Sequence, residues 1–244
     1  MKKAIGVVSF GTSHKDAELS CICPVEQAIA QAFPDRDTFR AFTSRIIARI
    51  MKKRGENVEN EQEMLERLKA ENYEDILLVT THIIPGFEYE KLTRVAEGCK
   101  ISEPLIACGD DEEWMANLLE EIAAEEGCVL LVMGHGTDHA ADEIYARIQK
   151  KTSGNVFVGC AEGERTLEAI MPELETLEKK EVVLMPMMLV AGDHAKNDLA
   201  GDDEDSWKSV LTTKGFDVRV RMRGLGALKA VQQRYVEKVR KAAE

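Results

Sequence analysis

The sequence predicts an α/β fold of two similar Rossmann-like domains, each a roughly four-stranded parallel sheet flanked by helices. Three observations carry this expectation. Short Val/Ile/Leu-rich runs alternate with helical patterns along all 244 residues, as they do where parallel strands are covered on both faces. The runs fall into a first and a second group of four. The two groups also resemble each other, loosely at their first strands and more closely at their third, with a change of register between the two alignments.

The first group of strands is predicted at 3–9, 38–42, 75–81 and 104–108, the second at 128–133, 155–160, 181–187 and 216–222. Between them, Met64, Leu65 and Leu68 share a helix face, as do Trp114, Leu118 and Ile122, and Ile144 pairs with Ile148. Asp110 and Asp111 suit the start of the helix holding Trp114. The repeat sets Phe10-Gly11-Thr12 on His135-Gly136-Thr137. It also sets Asp75-Ile76-Leu77-Leu78-Val79 on Glu181-Val182-Val183-Leu184-Met185, and without a gap Gly86 on Gly192 and Glu88 on His194. The expected halves are 1–126 and 127–244, with an amphipathic last helix at about 227–243 packing back on the first half. Two such halves about an approximate two-fold axis would aim their strand-end loops at one shared cleft, with Glu88 and His194 facing each other across it.

Composition narrows the function. Hydrophobic residues make up 44% and charged residues 31% of the chain, an ordinary globular balance. A net charge of −12 argues against nucleic acid, whose phosphates require a basic face. The longest apolar run, about 185–192, is far short of the ~20 residues of a membrane helix. Met1-Lys2-Lys3 and the apolar residues after it imitate the start of a signal peptide, but the run stops at Ser9. It is read as the first strand, and the protein is expected in the cytoplasm. Six cysteines show no paired CxxC spacing. Cys108, Cys128 and Cys160 are expected as small buried hydrophobes, and Cys21-Ile22-Cys23 as helix-face residues.

Five histidines occur, at 14, 82, 135, 139 and 194. His135 and His194 stand where apolar strands run out into glycine, at Met133-Gly134-His135-Gly136 and Ala191-Gly192-Asp193-His194. Carboxyl ends of strands are where open α/β sheets bind ligands, and imidazole is the commonest protein ligand for borderline metals. Two imidazoles and a carboxylate form an open three-ligand site for a divalent first-row ion. Glu88 and Glu162, both at strand ends, are the candidate carboxylates. His139 and His82 are read chiefly as structural. Ser9-Phe10-Gly11-Thr12-Ser13 forms a strand-to-helix turn of hydroxyls and amides suited to anions. Arg40 and Arg45 flank the second strand and can engage carboxylates. A phosphatase based on His135 is disfavoured because Gly134 stands where an arginine would be needed.

At Val8-Ser9-Phe10-Gly11-Thr12-Ser13, Arg40-Ala41-Phe42-Thr43-Ser44, His82-Ile83-Ile84-x-Gly86-x-Glu88-Tyr89-Glu90-Lys91, Met133-Gly134-His135-Gly136 and Leu189-Val190-Ala191-Gly192-Asp193-His194-Ala195-x-Asn197-Asp198, the chain resembles the anaerobic, class II sirohydrochlorin cobaltochelatases of cobalamin biosynthesis. Asp205-Ser206-Trp207-Lys208 and Gly224-Leu225-Gly226 extend the likeness nearly end to end. The resemblance implies two chelatase-like α/β domains and insertion of Co2+ into sirohydrochlorin with release of two pyrrole protons. Fe2+ and Ni2+ stay open as metals, as does a non-catalytic tetrapyrrole or metal carrier. It implies His135, His194 and a glutamate as metal ligands, with Glu88 and Glu162 both matching glutamates given that role. The expected set is His135, Glu162 and His194 for the ion, and His135 and Glu88 for the chemistry. Ser9, Phe10, Gly11, Thr12, Ser13, Arg45 and Lys196 are expected to bind the polyanionic substrate. No organic cofactor, nucleic acid or membrane partner is expected, and a homo-oligomer is compatible with the sequence.

Overall fold

The computed structural model describes residues 1–96 and 98–244. One sheet contains β1 (Lys2–Ser9), β2 (Asp37–Phe42), β3 (Tyr73–Thr80) and β4 (Lys100–Ile101). The other contains β5 (Val129–Gly134), β6 (Val156–Cys160), β7 (Glu181–Pro186) and β8 (Asp217–Val220). Their orders are β2-β1-β3-β4 and β6-β5-β7-β8, and all the pairings are parallel. In each sheet the chain adds its second strand to one side of the first and its third to the other. The direction of winding therefore reverses between β1 and β3, and again between β5 and β7, which makes a crevice at the carboxyl ends of those strands.

Burial explains the strand composition. All six residues of β5 are buried, so nothing polar interrupts Val129 to Gly134. Met64, Leu65 and Leu68 pack from the helix Glu61–Ala70 onto Ala4, Val8 and Leu78 of the first sheet. In the second, Ile170, Met171 and Leu174 of the helix Leu167–Glu175 cover Leu131, Met133 and Leu184. Among the described residues, no helix is long and apolar enough to cross a membrane.

Two expectations need correction. The fourth strand is Lys100–Ile101, paired with Leu77 and Leu78, whereas residues 104–108 form no strand. Leu105 and Ile106 are fully buried, so the apolarity of that run reflects core packing, while the Leu105 N–H is used by His82 O at 3.0 Å. Cys108, expected inside, is exposed at the N-cap of the helix Gly109–Glu126. There Asp111 accepts hydrogen bonds from the N–H groups of Ala107 and Cys108 at 2.8 and 3.1 Å.

The repeat extends to individual hydrogen bonds. Thr43 N–H to Ser9 O (2.9 Å) and Ser44 N–H to Phe10 O (3.2 Å) match Ala161 N–H to Gly134 O and Glu162 N–H to His135 O, both 2.9 Å. Thr81 N–H to Val8 O (2.9 Å) matches Met187 N–H to Met133 O (2.7 Å). Leu105 N–H to His82 O (3.0 Å) matches Leu225 N–H to Met188 O (2.8 Å).

By contacts the chain forms two compact units, Met1–Leu105 with Gly226–Glu244, and Ile106–Leu225. The borders after Leu105 and Leu225 are equivalent points of the repeat. Each sheet is therefore followed by a helix that joins the other unit. Gly109–Glu126 packs in the second, where Glu112 pairs with Arg147 at 2.8 Å. Lys229–Ala243 packs in the first, where the buried Tyr235 donates its hydroxyl to Thr81 O at 2.7 Å. Lys238 and Lys241 of that helix both pair with Glu103. Relative to the halves 1–126 and 127–244, the helix Gly109–Glu126 falls in the second unit, and the last helix, the one expected to pack back, falls in the first, so the two units exchange terminal helices.

Candidate metal centre

In the second unit, β5 and β7 flank the point of reversal, so the loops leaving them lie side by side. His135 follows β5 directly. At Gly134 a Cβ would collide with the Tyr145 ring, which lies against the strand exit. Burial pushes the Tyr145 hydroxyl well above the usual phenol range, against the pull of the backbone N–H groups of Gly136 and His135. Gly136 has φ +80°, and any Cβ there would collide with Glu162 O. Only glycine lets the chain leaving β5 press against the chain leaving β6.

His194 ends the loop from β7 and opens a π-helical turn, Ala195–Leu199. Such turns are frequent at functional sites. The His135 and His194 ring centroids are 4.6 Å apart, at an interplanar angle of 76°. His135 Nδ1 is 2.9 Å from Gly136 O. A carbonyl oxygen only accepts, so Nδ1 carries the proton and Nε2 keeps its lone pair. His194 Nδ1 is 2.5 Å from Asp198 Oδ2, which orients that ring the same way. Two neighbouring imidazoles, each with Nδ1 held by an oxygen acceptor, match the usual preparation of histidine for a metal.

Glu162 joins this arrangement through its backbone, with its N–H on His135 O at 2.9 Å, and its side chain is exposed. Among the described residues, no three His, Cys, Asp or Glu side chains are gathered closely enough to hold an ion. The structure thus brings together the two imidazoles and sets Glu162 beside them on the adjacent loop, without closing a three-donor cage. Lys196 lies, half-buried, in the π-helical turn that follows His194.

His139 is not part of the pair. Its Nδ1 accepts the Ala141 N–H at 3.0 Å and caps a short 3-10 turn, Ala140–Asp142. Cys160 is buried, which pushes its thiol far up and makes it inert.

The equivalent loops of the first unit carry different side chains. Phe10 occupies the position of His135 and is 48% exposed. Gly11 has φ +95°, and a Cβ there would sit 2.6 Å from the Phe42 ring. The His14 N–H donates to Thr12 Oγ1 at 3.2 Å, as the His139 N–H does to Thr137 Oγ1 at 3.2 Å. Ser9 and Thr12 are buried, and Ser9 Oγ accepts from Thr81 Oγ1 at 2.8 Å. Ser13 is half-buried. Arg45 is exposed at the start of the helix Arg45–Lys53.

Glu88 lies in the first turn of the helix Phe87–Val95 and pairs with Lys91. Burial lowers His82 to about 4, partly offset by the charge of Glu88. Arg40 does not await a ligand: it holds Glu26 at 2.5 Å and Glu18 at 2.6 Å, and Cys23 Sγ at 3.2 Å. Burial opposes ionisation of Glu18, and hydrogen bonds from Arg40 and Lys15 outweigh it, holding the carboxyl below its usual range. Cys21 is buried, so the CxC segment is part of helix packing.

Sequence reasoning did not single out Tyr145 or Asp142. A tyrosine on an amphipathic helix and an aspartate at a helix start look ordinary, and only the fold sets them under the loop carrying His135.

The family profile described as "Cobalt chelatase (CbiK)" matches residues 3–244. The sirohydrochlorin cobaltochelatase of Salmonella typhimurium is 34% identical over 255 residues, covering 99% of this chain and 97% of that protein. Sirohydrochlorin cobaltochelatase CbiKC of Nitratidesulfovibrio vulgaris is 32% identical over 238 residues, covering 91% of this chain and 84% of the relative. Among solved structures, SirB from Bacillus subtilis with Fe3+ is similar, with TM-score 0.66 and 16% identity over 100% of this chain and 96% of that one. SirB from the subspecies spizizenii in complex with cobalt gives TM-score 0.62 and 14% identity at the same coverage. These two show the fold.

Proposed function

The chain belongs to the cobalt chelatase family, and from that premise we propose that it inserts Co2+ into sirohydrochlorin, displacing two pyrrole protons. The observation that carries the site assignment is the pair of imidazoles 4.6 Å apart, each with its Nδ1 engaged by oxygen. Nε2 of His135 and of His194 hold the incoming ion, with Glu162 as the third donor. Two nitrogens and one carboxylate leave positions for water and for the macrocycle. The ion waits there partly dehydrated, so fewer waters remain to be lost when the ring nitrogens take it.

Insertion turns M2+ and a neutral ring core into a neutral metal complex and two protons. Two bases suffice. Glu88 is one. His135 is the other, because its Nε2 lone pair is released as the ion passes to the ring. Sirohydrochlorin is a polyanion, and an acidic protein must meet its carboxylates locally. The amides and the Ser13 hydroxyl of the loop with Phe10 and Gly11 offer donors, and Arg45 and Lys196 offer charge. Phe10 offers an exposed ring to the flat macrocycle. Six free thiols fit a reducing compartment, and a cytoplasmic location is proposed on that basis.

The deciding experiment follows sirohydrochlorin absorbance anaerobically with enzyme and Co2+, Fe2+ or Ni2+ in separate arms. Repeated turnover with Co2+ is expected. Stoichiometric binding without turnover would make the protein a carrier, and faster turnover with another ion would reassign the metal.

A further inference from the structure

The carboxylate of Asp142 lies beneath the two loops that carry His135 and Glu162. Asp142 is 8% exposed. Its Oδ1 accepts the Thr137 N–H at 3.0 Å, two residues past His135. Its Oδ2 accepts the Glu164 N–H at 3.1 Å, two residues past Glu162. Between those points the chain passes Gly163, at φ +83°, where a Cβ would sit 2.6 Å from Asp142 Oδ2. The second loop is thus pressed onto the carboxylate with no room for a side chain.

On its other side, the same pair of loops is joined by Glu162 N–H to His135 O at 2.9 Å. Each donor residue is therefore bracketed. Its backbone is tied to the neighbouring loop at one end, and two residues later to Asp142. Hydrogen bonds from backbone N–H groups to a carboxylate are of the stronger, charge-assisted kind. Both hydrogen bonds are only half-buried, so loss of the carboxylate removes the one acceptor that the two N–H groups share and leaves each to a separate partner, protein or water.

The geometry points to Asp142 as a positioning residue of the metal centre, one that fixes the separation of His135 and Glu162 while touching neither the ion nor the macrocycle. This rests on the assignment of those two residues as ion donors. Asp142 acts on how tightly the ion is held, through Glu162.

The test measures Co2+ binding directly, by the visible absorption of the Co2+-loaded protein without tetrapyrrole, alongside thermal unfolding and sirohydrochlorin binding. Asp142→Ala is expected to raise the Kd for Co2+ by about 10- to 100-fold, the range for outer-shell partners of metal ligands. Asp142→Asn, nearly the same shape, keeps one acceptor but turns an amide NH2 toward the other N–H. It is expected to raise Kd by a smaller factor with unfolding temperature and sirohydrochlorin affinity held, and it carries the test should the alanine variant fail to fold. In a double-mutant cycle, Asp142→Asn is expected to add little once Glu162→Gln is present, because its effect runs through Glu162.

Wild-type Co2+ affinity in the Asp142→Asn protein, with His135→Ala and Glu162→Gln both weakened, overturns the proposal while leaving the donor assignment intact. Full additivity in the cycle also overturns it, since a general loosening of the unit would not depend on Glu162. Wild-type Co2+ affinity in His135→Ala and His194→Ala instead overturns the donor assignment, and the proposal with it.

Discussion

The imidazoles of His135 and His194 meet edge to face, 4.6 Å between centroids, although 58 residues lie between them in the sequence. The sheet explains the meeting, because β5 and β7 are hydrogen-bonded neighbours whose exits must adjoin. Each ring is held at Nδ1, by Gly136 O and by Asp198. His135→Ala and His194→Ala are each expected to abolish cobalt insertion. Neither ring is in the core, so stability should change by no more than about 0.5 kcal/mol. Metallation assays beside urea unfolding check both halves of the statement, and wild-type insertion rates would remove these residues from the site.

Glu162 and Glu88 should separate in their effects. Glu162→Gln is expected to weaken Co2+ binding by about 10-fold or more, by analogy with perturbed metal-ligand shells. Glu88→Gln should leave Co2+ binding unchanged and slow insertion by about 100-fold, within the range for loss of a general base. Titration with Co2+ alone, followed by single-turnover metallation, gives the two quantities independently. The reverse pattern would exchange the two roles.

Gly136 permits the loop contact at Glu162 and cannot be replaced quietly. Gly136→Ala forces a Cβ into Glu162 O at a backbone angle of +80°. The conformational strain alone is about 1–3 kcal/mol. Lower stability and lower Co2+ affinity should appear together. A variant with normal stability and normal Co2+ binding would show that the two loops separate freely.

His82 gives the protein an acid-side sensitivity. Burial lowers its pKa in the folded protein from 6.5 to about 4. From pH 6.5 down to about 4 the unfolded chain takes up a proton at this ring that the folded chain does not, so stability falls with pH in that window. Above pH 6.5 both forms are neutral there and the dependence vanishes. Urea unfolding at pH 7.5, 5.5 and 4.5 should show a shallower decline for His82→Asn than for the wild type, whatever the cost of the substitution at neutral pH. Parallel declines would place the titrating group elsewhere.

Much of the fold could be read in the chain because buried parallel strands are written in Val, Ile and Leu, and seven of the eight expected runs coincide with strands to within a few residues. The exception, residues 104–108, follows from the same rule: apolarity reports burial, and Leu105 and Ile106 are buried without a ladder. The histidine pair was legible because strand-end glycines mark tight exits. Arg40 was not, since a guanidinium beside a strand end looks the same whether it awaits a ligand or is already bound to Glu18 and Glu26. Asp142 and Tyr145 were hidden for a related reason, because their partners are backbone groups brought under them only by folding.

The exchange of helices has a consequence for biosynthesis. On the ribosome, β1 to β4 emerge first, yet the helix that buries Tyr235 over Thr81 is made only after residues 106–225. The earliest sheet must wait, partly bare, while the later one is built and closed with Gly109–Glu126. The second unit is therefore expected to finish first during translation, and nascent chains stalled before Lys229 should recruit chaperones through the uncovered face.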